Sequence, residues 1–291
     1  MKPKPSVSVV IPHYRDLDRL DLCLRALERQ TYPADKFEIV VADNASPEGE
    51  AAVVRVIAGR ARLVVVSDRG AGPARNGGAA AAEGGILAFT DSDCVPEPQW
   101  LAEGIKALDA YDFVGGRVKV LVENAARMTA AEAFERVFAF DIKTYITKKG
   151  FTASANLLCP RTVFEEVGGF GAGLSEDVDW SRRARAAGFR LGYSVEAAVG
   201  HPARRTWDEL RAKWRRVHAE TYVLWSTKKA RPLLWLMRSL ALPASAVAHT
   251  PRVLFSRELD TLKQRLLALR MLYQIRLWRS VDALRLIAHG N

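Results

Sequence analysis

The chain has 291 residues, of which 43 are Lys or Arg and 33 are Asp or Glu, so its formal net charge is +10. Hydrophobic residues make up 49% of the sequence and charged residues 26%, a balance typical of a folded globular protein. This composition excludes collagen-like, low-complexity and generally disordered chains, and the length suits one large domain, or one domain with an extension.

Alternating strands and helices are predicted in the first third of the chain. Short apolar runs bounded by polar turns predict buried strands, and apolar residues three and four positions apart predict helices. This alternation predicts an α/β fold, doubly wound and built on a mostly parallel sheet flanked by helices, which binds ligands beyond the carboxyl ends of its strands. The predicted strands are 6–11, 37–42, 62–66 and 86–90, and the predicted helices are 17–30, 51–58 and one that opens with the glycine-rich segment 70–78.

The rest of the chain is less regular and ends in predicted helices. Thr206 and Glu209 have the spacing of a capping box, which predicts that a helix begins there. We therefore predict a body over residues 1–205 and a helical extension over 206–291. The elements predicted between them are a strand at 113–122, a helix at 129–147, a flexible glycine-rich loop at 168–173, a helix from 175 to about 188 and a strand at 189–195.

The positive charge is concentrated in the extension. Residues 204–291 hold 18 Lys or Arg against 6 Asp or Glu, and they include five of the seven tryptophans. Basic residues interleaved with Trp are expected at an anionic membrane surface. A polyanionic saccharide is compatible too, whereas no nucleic-acid motif accompanies the charge, so we expect no nucleic-acid partner. The alternative is a solvated helical face with core aromatics.

One stretch of the extension, residues 232–250, is apolar enough to be tested as a membrane span. Arg238 interrupts it, and Pro243 is expected to break its helix, whereas a spanning helix needs about 20 apolar residues. We therefore expect a segment that lies on a membrane surface or re-enters it. The last helix, predicted at 257–289, has a wide apolar arc, which leaves packing on the body or on a second copy, as a homodimer, open.

The cysteines and the N-terminus indicate the compartment. Cys23, Cys94 and Cys159 lie far apart and form no CxxC pair, which argues against a disulfide framework or a structural zinc site and favours a reducing compartment. The N-terminus passes directly into a Val- and Ile-rich stretch, without the apolar segment of a secretory signal. We therefore expect a cytoplasmic protein.

Acidic residues follow two of the predicted strands. Asp91 and Asp93 come directly after strand 86–90, where two carboxylates can reach a divalent cation and a ribose hydroxyl together. The alternative for this pair is a solvated turn. Asp43 ends strand 37–42, where its carboxylate can accept a hydrogen bond from the N3–H of a uracil or thymine ring. An Asx turn or a helix cap is the alternative for Asp43.

The glycine-rich segment 70–78 matches neither a nucleotide-triphosphate P-loop nor a dinucleotide fingerprint. Arg75 and Asn76 lie where its helix begins and can reach a nucleotide over the sheet edge. The alternative is that Arg75 caps the helix or pairs with an aspartate at a strand end.

A second acidic pair, Glu176 and Asp177, lies at the start of the predicted helix 175–188. A carboxylate there can act as a general base towards an acceptor hydroxyl, or it can simply complement the helix dipole. His201 can complete an oxygen-rich site for Mn²⁺, although a lone histidine is commonly structural. Arg204 and Arg205 can neutralise a departing diphosphate, unless they only belong to the basic extension.

Taken in order, these motifs resemble a family 2 glycosyltransferase with the GT-A fold. The resemblance covers residues 6–205, and the ordered set is far more specific than any one motif. The motifs are Ser8-Val-Val-Ile-Pro-His-Tyr14, Val40-Val-Ala-Asp-Asn-Ala-Ser46, Gly72-Pro-Ala-Arg-Asn76, Thr90-Asp-Ser-Asp93, Gly168-Gly-Phe170, Glu176-Asp177 and His201.

The resemblance implies a metal-dependent, inverting transfer of a sugar from a nucleotide-diphosphate donor, most often a UDP-sugar. It assigns Asp177 as the general base and Glu176 as the residue that orients the acceptor or the base. The other implied roles are nucleotide binding by Pro12, Tyr14, Asp43, Arg75 and Asp91; Mn²⁺ or Mg²⁺ binding by Asp91, Asp93 and His201; and contact with the diphosphate or acceptor by Arg204, Arg205 and Asn156.

The sequence departs from the processive members of that family, because residues 211–215 are only distantly similar to their Q-x-x-R-W motif. We therefore expect one sugar per acceptor, with a lipid-linked saccharide as acceptor, in cell-surface polysaccharide or glycolipid synthesis at the inner face of the plasma membrane. A non-catalytic binding module with a basic membrane- or polyanion-binding tail is the alternative. A nucleotidyltransferase is disfavoured because residues 12–15 contain no glycine.

Overall fold

The computed structural model describes residues 6–171, 175–224 and 231–289. The chain divides into two compact units, the first formed by Met1–Lys119 and Phe140–His201 and the second by Val120–Ala139 and Pro202–Asn291. The second unit therefore combines the helical extension with an internal segment of the chain.

The first unit is built on a mixed sheet whose strand order is β3-β2-β1-β4-β7-β6-β8-β5. Strands β1, β2, β3 and β4 pair in parallel, whereas β7 is antiparallel to both β4 and β6. The doubly wound α/β fold is confirmed. The strands are β1 Val7–His13, β2 Phe37–Asp43, β3 Arg62–Val65, β4 Ile86–Thr90, β5 Val95–Pro96, β6 Phe113–Leu121, β7 Asn156–Pro160 and β8 Leu191–Pro202.

Eleven α-helices are assigned among the described residues, and short 3-10 and π turns lie between some of them. In the first unit they are α1 Leu17–Leu27, α2 Glu50–Ile57, α3 Ala71–Ala81, α4 Trp100–Ala107, α6 Ile142–Thr144, α7 Arg161–Val167 and α8 Glu176–Ala186. In the second unit they are α5 Ala130–Phe138, α9 Trp207–Leu224, α10 Arg231–Leu254 and α11 Leu262–His289.

Two glycines let α3 lie close against the parallel strands. A Cβ atom on Gly78 would lie 2.6 Å from Val10 Cγ1, and one on Gly77 would lie 2.5 Å from Val66 Cγ2. A larger residue at either position would push the helix away from the sheet. The same helix carries Arg75, so this close packing sets how far that side chain reaches over the strand ends.

The antiparallel half of the sheet is held by one buried amide. Asn156 Nδ2 donates to the carbonyl oxygens of Arg117 (3.0 Å) and Ala197 (2.8 Å), and Trp100 Nε1 donates to Asn156 Oδ1 (2.9 Å). A Cβ atom on Gly116 would lie 2.3 Å from the Asn156 amide, so glycine makes room for it. The side chain therefore links β7, β6, β8 and α4, which are distant in sequence.

The predicted helix at 129–147 is wrong as one element. Helix α5 begins at a capping box, Thr129 with Glu132, but the chain turns at Phe140, whose φ of 53° is left-handed. Asp141 then caps α6 through the Thr144 N–H. A non-glycine residue with positive φ ends a helix, which a periodic apolar pattern does not reveal.

Pro243 does not break its helix, contrary to expectation, since α10 runs through both Pro243 and Pro251. Proline cannot donate to the carbonyl four residues earlier, here that of Ser239. The Ser280 hydroxyl donates to that carbonyl instead, at 2.8 Å. A side chain of α11 therefore satisfies the acceptor that Pro243 leaves without its usual backbone donor.

Helices α9 and α11 of the second unit both begin at a residue pair that caps the helix N-terminus. The predicted capping box of α9 is confirmed, because Glu209 N–H donates to Thr206 Oγ1 and Thr206 N–H to the Glu209 carboxylate. Helix α11 begins at Leu262 rather than 257, where Thr261 and Gln264 make the equivalent pair. Among the described residues, no helix combines the length and apolar character that crossing a bilayer requires.

The second unit has its own apolar core. Met128, Phe134 and Val137, from the internal segment, pack with residues of α9, α10 and α11 such as Leu210 and Leu272. The internal segment belongs to this unit because its apolar face is buried against these helices. That contact joins residues more than 130 positions apart, which no local pattern indicates.

The Asn156 amide gives a stability prediction. Asn156→Ala is expected to lower the free energy of unfolding by about 3 kcal/mol, because two carbonyls and the Trp100 N–H would lose their buried partner. Asn124→Ala, which removes an exposed cap of a 3-10 turn, is expected to cost about 1 kcal/mol or less. Denaturant unfolding measures both, and equal losses would contradict the linking role of Asn156.

Candidate active site

Two carboxylates and an imidazole converge beyond strand β4. One ligand atom each from Asp91, Asp93 and His201 lies within 4.8 Å of the other two, and His201 Nε2 is 3.5 Å from Asp93 Oδ2. Carboxylate oxygens together with an imidazole nitrogen are donors that suit Mn²⁺ or Mg²⁺. These residues therefore fit the ion that the sequence predicts.

Burial perturbs this cluster. It raises the pKa of Asp93 because a carboxylate is poorly solvated there, while His201 and Arg19 act in the opposite direction and Asp91 adds repulsion. Arg19 Nη1 lies 3.7 Å from Asp93 Oδ2. A cation between the carboxylates would relieve the repulsion that raises this pKa.

Arg75 joins this cluster to the second acidic pair. Its Nη2 donates to Asp91 Oδ1 at 2.6 Å and its Nη1 donates to Glu176 Oε1 at 2.8 Å. Only 4% of the Arg75 side chain is exposed, and its guanidinium lies 5.8 Å from the Phe170 ring centroid. Burial alone would lower the pKa of Arg75, but the carboxylates of Asp91 and Glu176 outweigh it and raise that pKa. The two acidic clusters thus meet on one guanidinium.

Asp177 lies beside this bridge at the start of α8. Its pKa is raised to about 6, first by burial and then by the charges of Glu176 and Asp91, against the lowering effect of the Val178 N–H and Arg75. The Val178 N–H donates to Asp177 Oδ1 at 2.7 Å. Among the described residues, Oδ2 receives no hydrogen bond, so it is the oxygen able to take a proton.

Asp43 is held by its own strand end. Its Oδ1 is 2.8 Å from His13 Nδ1 and accepts from the Ser46 hydroxyl at 2.5 Å, and its Oδ2 accepts from the Ser46 N–H at 3.0 Å. The side chain is 2% exposed. The Asx turn considered as an alternative is therefore present. His13 Nε2 is buried and has no hydrogen-bond partner within the described ranges.

The start of the glycine-rich loop is tied down. Asn76 pairs with the backbone of Phe170 through two bonds of 2.8 Å, and Trp180 Nε1 donates to the Gly168 carbonyl at 2.9 Å. Arg183 Nη2 adds a bond to the Gly169 carbonyl at 2.7 Å. The loop was predicted to be flexible over 168–173; residues 168–170 are held by these bonds, and 172–174 lie outside the described residues.

The structure brings Asp91, Asp93, His201, Arg75, Glu176 and Asp177 together in the first unit. Pro12 is partly buried, and Tyr14 is 54% exposed with the Arg15 guanidinium 5.1 Å from its ring. The Asn156 amide makes its three hydrogen bonds to other residues of the first unit.

The remaining predicted residues, Arg204 and Arg205, belong to the second unit. Arg204 Nη1 lies 3.1 Å from Glu135 Oε1, and Arg205 pairs with Glu123. Their predicted contact with the diphosphate stays a prediction.

Sequence reasoning missed several residues around the site. Arg19 contacts Asp93, and the Phe140 ring packs on His201 with centroids 4.6 Å apart. His13 and Ser46 fix Asp43. Ser46 had a signal, since a serine three residues after a strand-end aspartate is an Asx-turn pattern. Arg19 and Phe140 had none, because only the tertiary fold brings them to Asp93 and His201.

Comparison with known proteins identifies the family. The model of "Glycosyl transferase family 2" matches residues 8–171. The chain is also 35% identical over 219 residues to Glycosyltransferase AglE of Haloferax volcanii, covering 72% of this chain and 71% of that one. It therefore belongs to glycosyltransferase family 2. Validoxylamine A glucosyltransferase of Streptomyces hygroscopicus is 38% identical over 107 residues, 35% of this chain and 25% of that protein.

Solved structures agree on the fold. Mannosyltransferase PcManGT from Pyrobaculum calidifontis, in complex with GDP-Man and Mn²⁺, matches with a TM-score of 0.62 and 19% identity, over 99% of this chain and 88% of that one. S. aureus TarS 1-349 in complex with UDP-GlcNAc matches with a TM-score of 0.53 and 16% identity, over 97% and 90%. The first unit thus has the GT-A fold that the motifs predicted.

The raised pKa of Asp177 predicts a pH-dependent stability. Because that pKa is about 6 in the folded protein, folding takes up a proton between about pH 4 and pH 6, and stability falls as the pH rises through this window. Asp177→Asn removes the buried charge, so we expect about 2 kcal/mol of added stability at about pH 8 and little change at about pH 4.

Thermal unfolding at both pH values measures this effect. The matched control is Asp179→Asn, two residues along the same helix, whose exposed carboxylate lies 2.9 Å from Arg183 Nε. Since Asp179 complements the helix N-terminus and pairs with Arg183, its loss is expected to destabilise the protein slightly at neutral pH. Stabilisation by both variants would show that general charge reduction, not the surroundings of Asp177, is responsible.

Proposed function

We propose that this glycosyltransferase moves a single sugar from a nucleotide-diphosphate donor, a UDP-sugar, to a hydroxyl of a saccharide acceptor, with inversion at the anomeric carbon. The observation that carries the proposal is the Arg75 guanidinium, which binds Asp91 on one side and Glu176 on the other. Arg75 thereby joins Asp91, a member of the proposed cation-binding cluster, to Glu176, which directly precedes the proposed base Asp177. A displacement at a sugar carbon requires a cation site and a base close together in this way.

The donor side is Asp91, Asp93 and His201, which would hold Mn²⁺ or Mg²⁺. When bound, such an ion supplies positive charge that stabilises the diphosphate leaving group. Arg75 keeps Asp91 in place and adds positive charge to a site with four acidic residues. Support for a nucleotide-sugar donor comes from the related folds, one in complex with GDP-Man and Mn²⁺ and another with UDP-GlcNAc.

The proton chemistry belongs to Asp177. With its pKa at about 6, its carboxylate is ionised near neutral pH yet more basic than an ordinary aspartate. As the acceptor oxygen bonds to the anomeric carbon and the bond to the diphosphate breaks, the hydroxyl proton passes to Asp177 Oδ2. Glu176, fixed by Arg75, orients the acceptor and by its charge keeps the pKa of Asp177 high.

Asp177→Asn is expected to lower kcat by about 10²- to 10⁴-fold because no general base remains, with the KM for the donor changed only a few-fold. The wild-type rate is expected to fall below about pH 6, where Asp177 is protonated and cannot accept a proton. Release of the nucleotide diphosphate from a panel of UDP-sugars with Mn²⁺ measures both.

The controls separate catalysis from binding. Asp179→Asn, with its exposed carboxylate, should retain activity. Asp93→Asn should lose the Mn²⁺-dependent rise in melting temperature that a UDP-sugar causes, whereas Asp177→Asn should keep it. Absence of both turnover and a melting shift across donor sugars would favour the non-catalytic binding module.

We propose further that the enzyme works on a lipid-linked acceptor at the inner face of the plasma membrane. Helix α10 supports this with an outward face of apolar side chains at helical spacing: Leu233 (60% exposed), Met237 (61%), Leu240 (60%) and Val247 (63%). A helix facing water would carry polar residues there. An apolar face on a strongly basic unit suits an anionic membrane surface.

Replacing Met237 and Leu240 by glutamate is expected to weaken binding to vesicles with anionic lipid at least about tenfold, because two buried apolar contacts become repelled charges. Vesicle flotation measures it. The control, Tyr111→Glu, changes an exposed aromatic residue of the first unit and should leave flotation unchanged. A change in oligomeric state without a change in flotation would assign the α10 face to a second copy of the chain.

A further inference from the structure

The second unit contains a cluster of three arginines that glycosyl transfer does not use: Arg238 of α10 with Arg276 and Arg279 of α11. Two hydrogen bonds hold these helices together beside it, from Trp235 Nε1 to the Ala283 carbonyl and from the Ser280 hydroxyl to the Ser239 carbonyl, both 2.8 Å. Arg276 and Arg279 are one turn apart on α11. The three charges lie close together: Arg238 lowers the pKa of Arg276, and both of them lower the pKa of Arg279.

Arg279 is buried, and no carboxylate of the described residues pairs with it. Its guanidinium carbon lies 3.5 Å from the centroid of the Trp214 ring, and its Nε donates to His218 Nε2 at 3.1 Å. His218 Nδ1 lies 2.8 Å from Asp282 Oδ2. His218 is therefore the neutral tautomer that donates to Asp282 and accepts from Arg279, and burial lowers its pKa to about 4. Arg279 thus contacts a ring and a neutral imidazole.

Counted over the described residues, the guanidinium group of Arg276 has fewer hydrogen-bond partners than that of Arg279. Its Nε is buried and has no hydrogen-bond partner in the part of the chain that the structure describes. Over the same residues, neither Arg276 nor Arg279 forms an ion pair with a carboxylate. Asp282, which follows Arg279 by three residues on α11, lies against His218 and Arg215, the latter at 3.6 Å. Burial lowers the pKa of both arginines, and repulsion between the arginines lowers them further.

Arg276 and Arg279 thus have no counter-charge within the described ranges, which is costly for buried cations, and an anion bound beside them would remove that cost. Guanidinium groups match phosphate oxygens in geometry as well as charge. We propose that Arg238, Arg276 and Arg279 form a site for a phosphate group, supplied by a membrane lipid or by free phosphate. Met237 (61% exposed) and Leu277 (56%) flank two of these arginines in sequence and would give a lipid phosphate an apolar border.

This site lies in the second unit and goes beyond the sugar transfer proposed above, so binding tests it without turnover. The probes are inorganic phosphate, compared with sodium chloride at equal ionic strength, and phosphatidylcholine vesicles with and without phosphatidic acid. The full chain is expected to melt at a higher temperature in phosphate, to bind phosphatidic acid vesicles preferentially, or both. A higher melting temperature in phosphate would identify free phosphate as a ligand. Preferential binding to phosphatidic acid vesicles without that rise would identify a lipid headgroup. No response in either overturns the proposal.

The variant Arg276→Gln is expected to weaken that response about tenfold, since it removes one charged hydrogen-bonding partner of the anion. Arg270→Gln is the matched control, with the same charge change at an exposed position of α11, and should stay within about twofold of wild type. Equal losses in both variants would indicate general electrostatics and overturn the site.

Stability provides the second readout. Without phosphate, Arg276→Gln is expected to melt no lower than wild type, because the substitution relieves repulsion from Arg238 and Arg279. A marked loss of stability would show that Arg276 supports the fold rather than an anion, and would overturn the proposal. The failure of donor binding is a separate observation, since it concerns Asp91, Asp93 and His201 and tests the proposed function.

Discussion

The Arg75 guanidinium is the interaction on which the site depends. It is nearly inaccessible to solvent and makes two charge-assisted hydrogen bonds, to Asp91 across 16 residues and to Glu176 across 101. A buried arginine with one carboxylate removed would leave an uncompensated charge, so the two acidic partners are held where the guanidinium fork places them. The separation between the carboxylates of Asp91 and Glu176 is therefore set by one rigid group.

The backbone around Arg75 makes that bridge possible. Gly77 and Gly78 allow α3 to lie against the sheet, and Gly72 lets the same helix approach the Gly171 carbonyl, where a Cβ atom would lie only 2.4 Å away. Asn76, next to Arg75, binds the backbone of Phe170. The helix that carries the arginine is thus fixed on both sides.

The second unit distributes its positive charge in two different ways. Some basic residues pair with the few acidic ones, as Arg204 and Lys213 do with the buried Glu135. Others are covered by aromatic rings, as Arg279 is by Trp214 and Arg238 is by Trp235, with 4.6 Å between guanidinium and centroid. Some of the tryptophans that the sequence analysis assigned to a membrane surface therefore stack on arginine guanidinium groups instead. The large apolar side chains that do reach the surface of this unit are those of Leu, Met and Val residues together with Phe255 and Tyr273.

Most local elements and the ordered motifs of the family could be predicted from the sequence, because strand and helix periodicity, the capping boxes and short polar turns are properties of neighbouring residues. The order of the motifs also predicted one site for Asp91, Asp93 and Asp177. Three features depend on tertiary contacts: the Asn156 amide bonds inside the sheet, residues 120–139 belong with the C-terminal helices, and Ser280 accommodates Pro243. These outcomes depend on which distant groups meet when apolar faces are buried, and a buried polar group must then find its partner wherever packing has brought one.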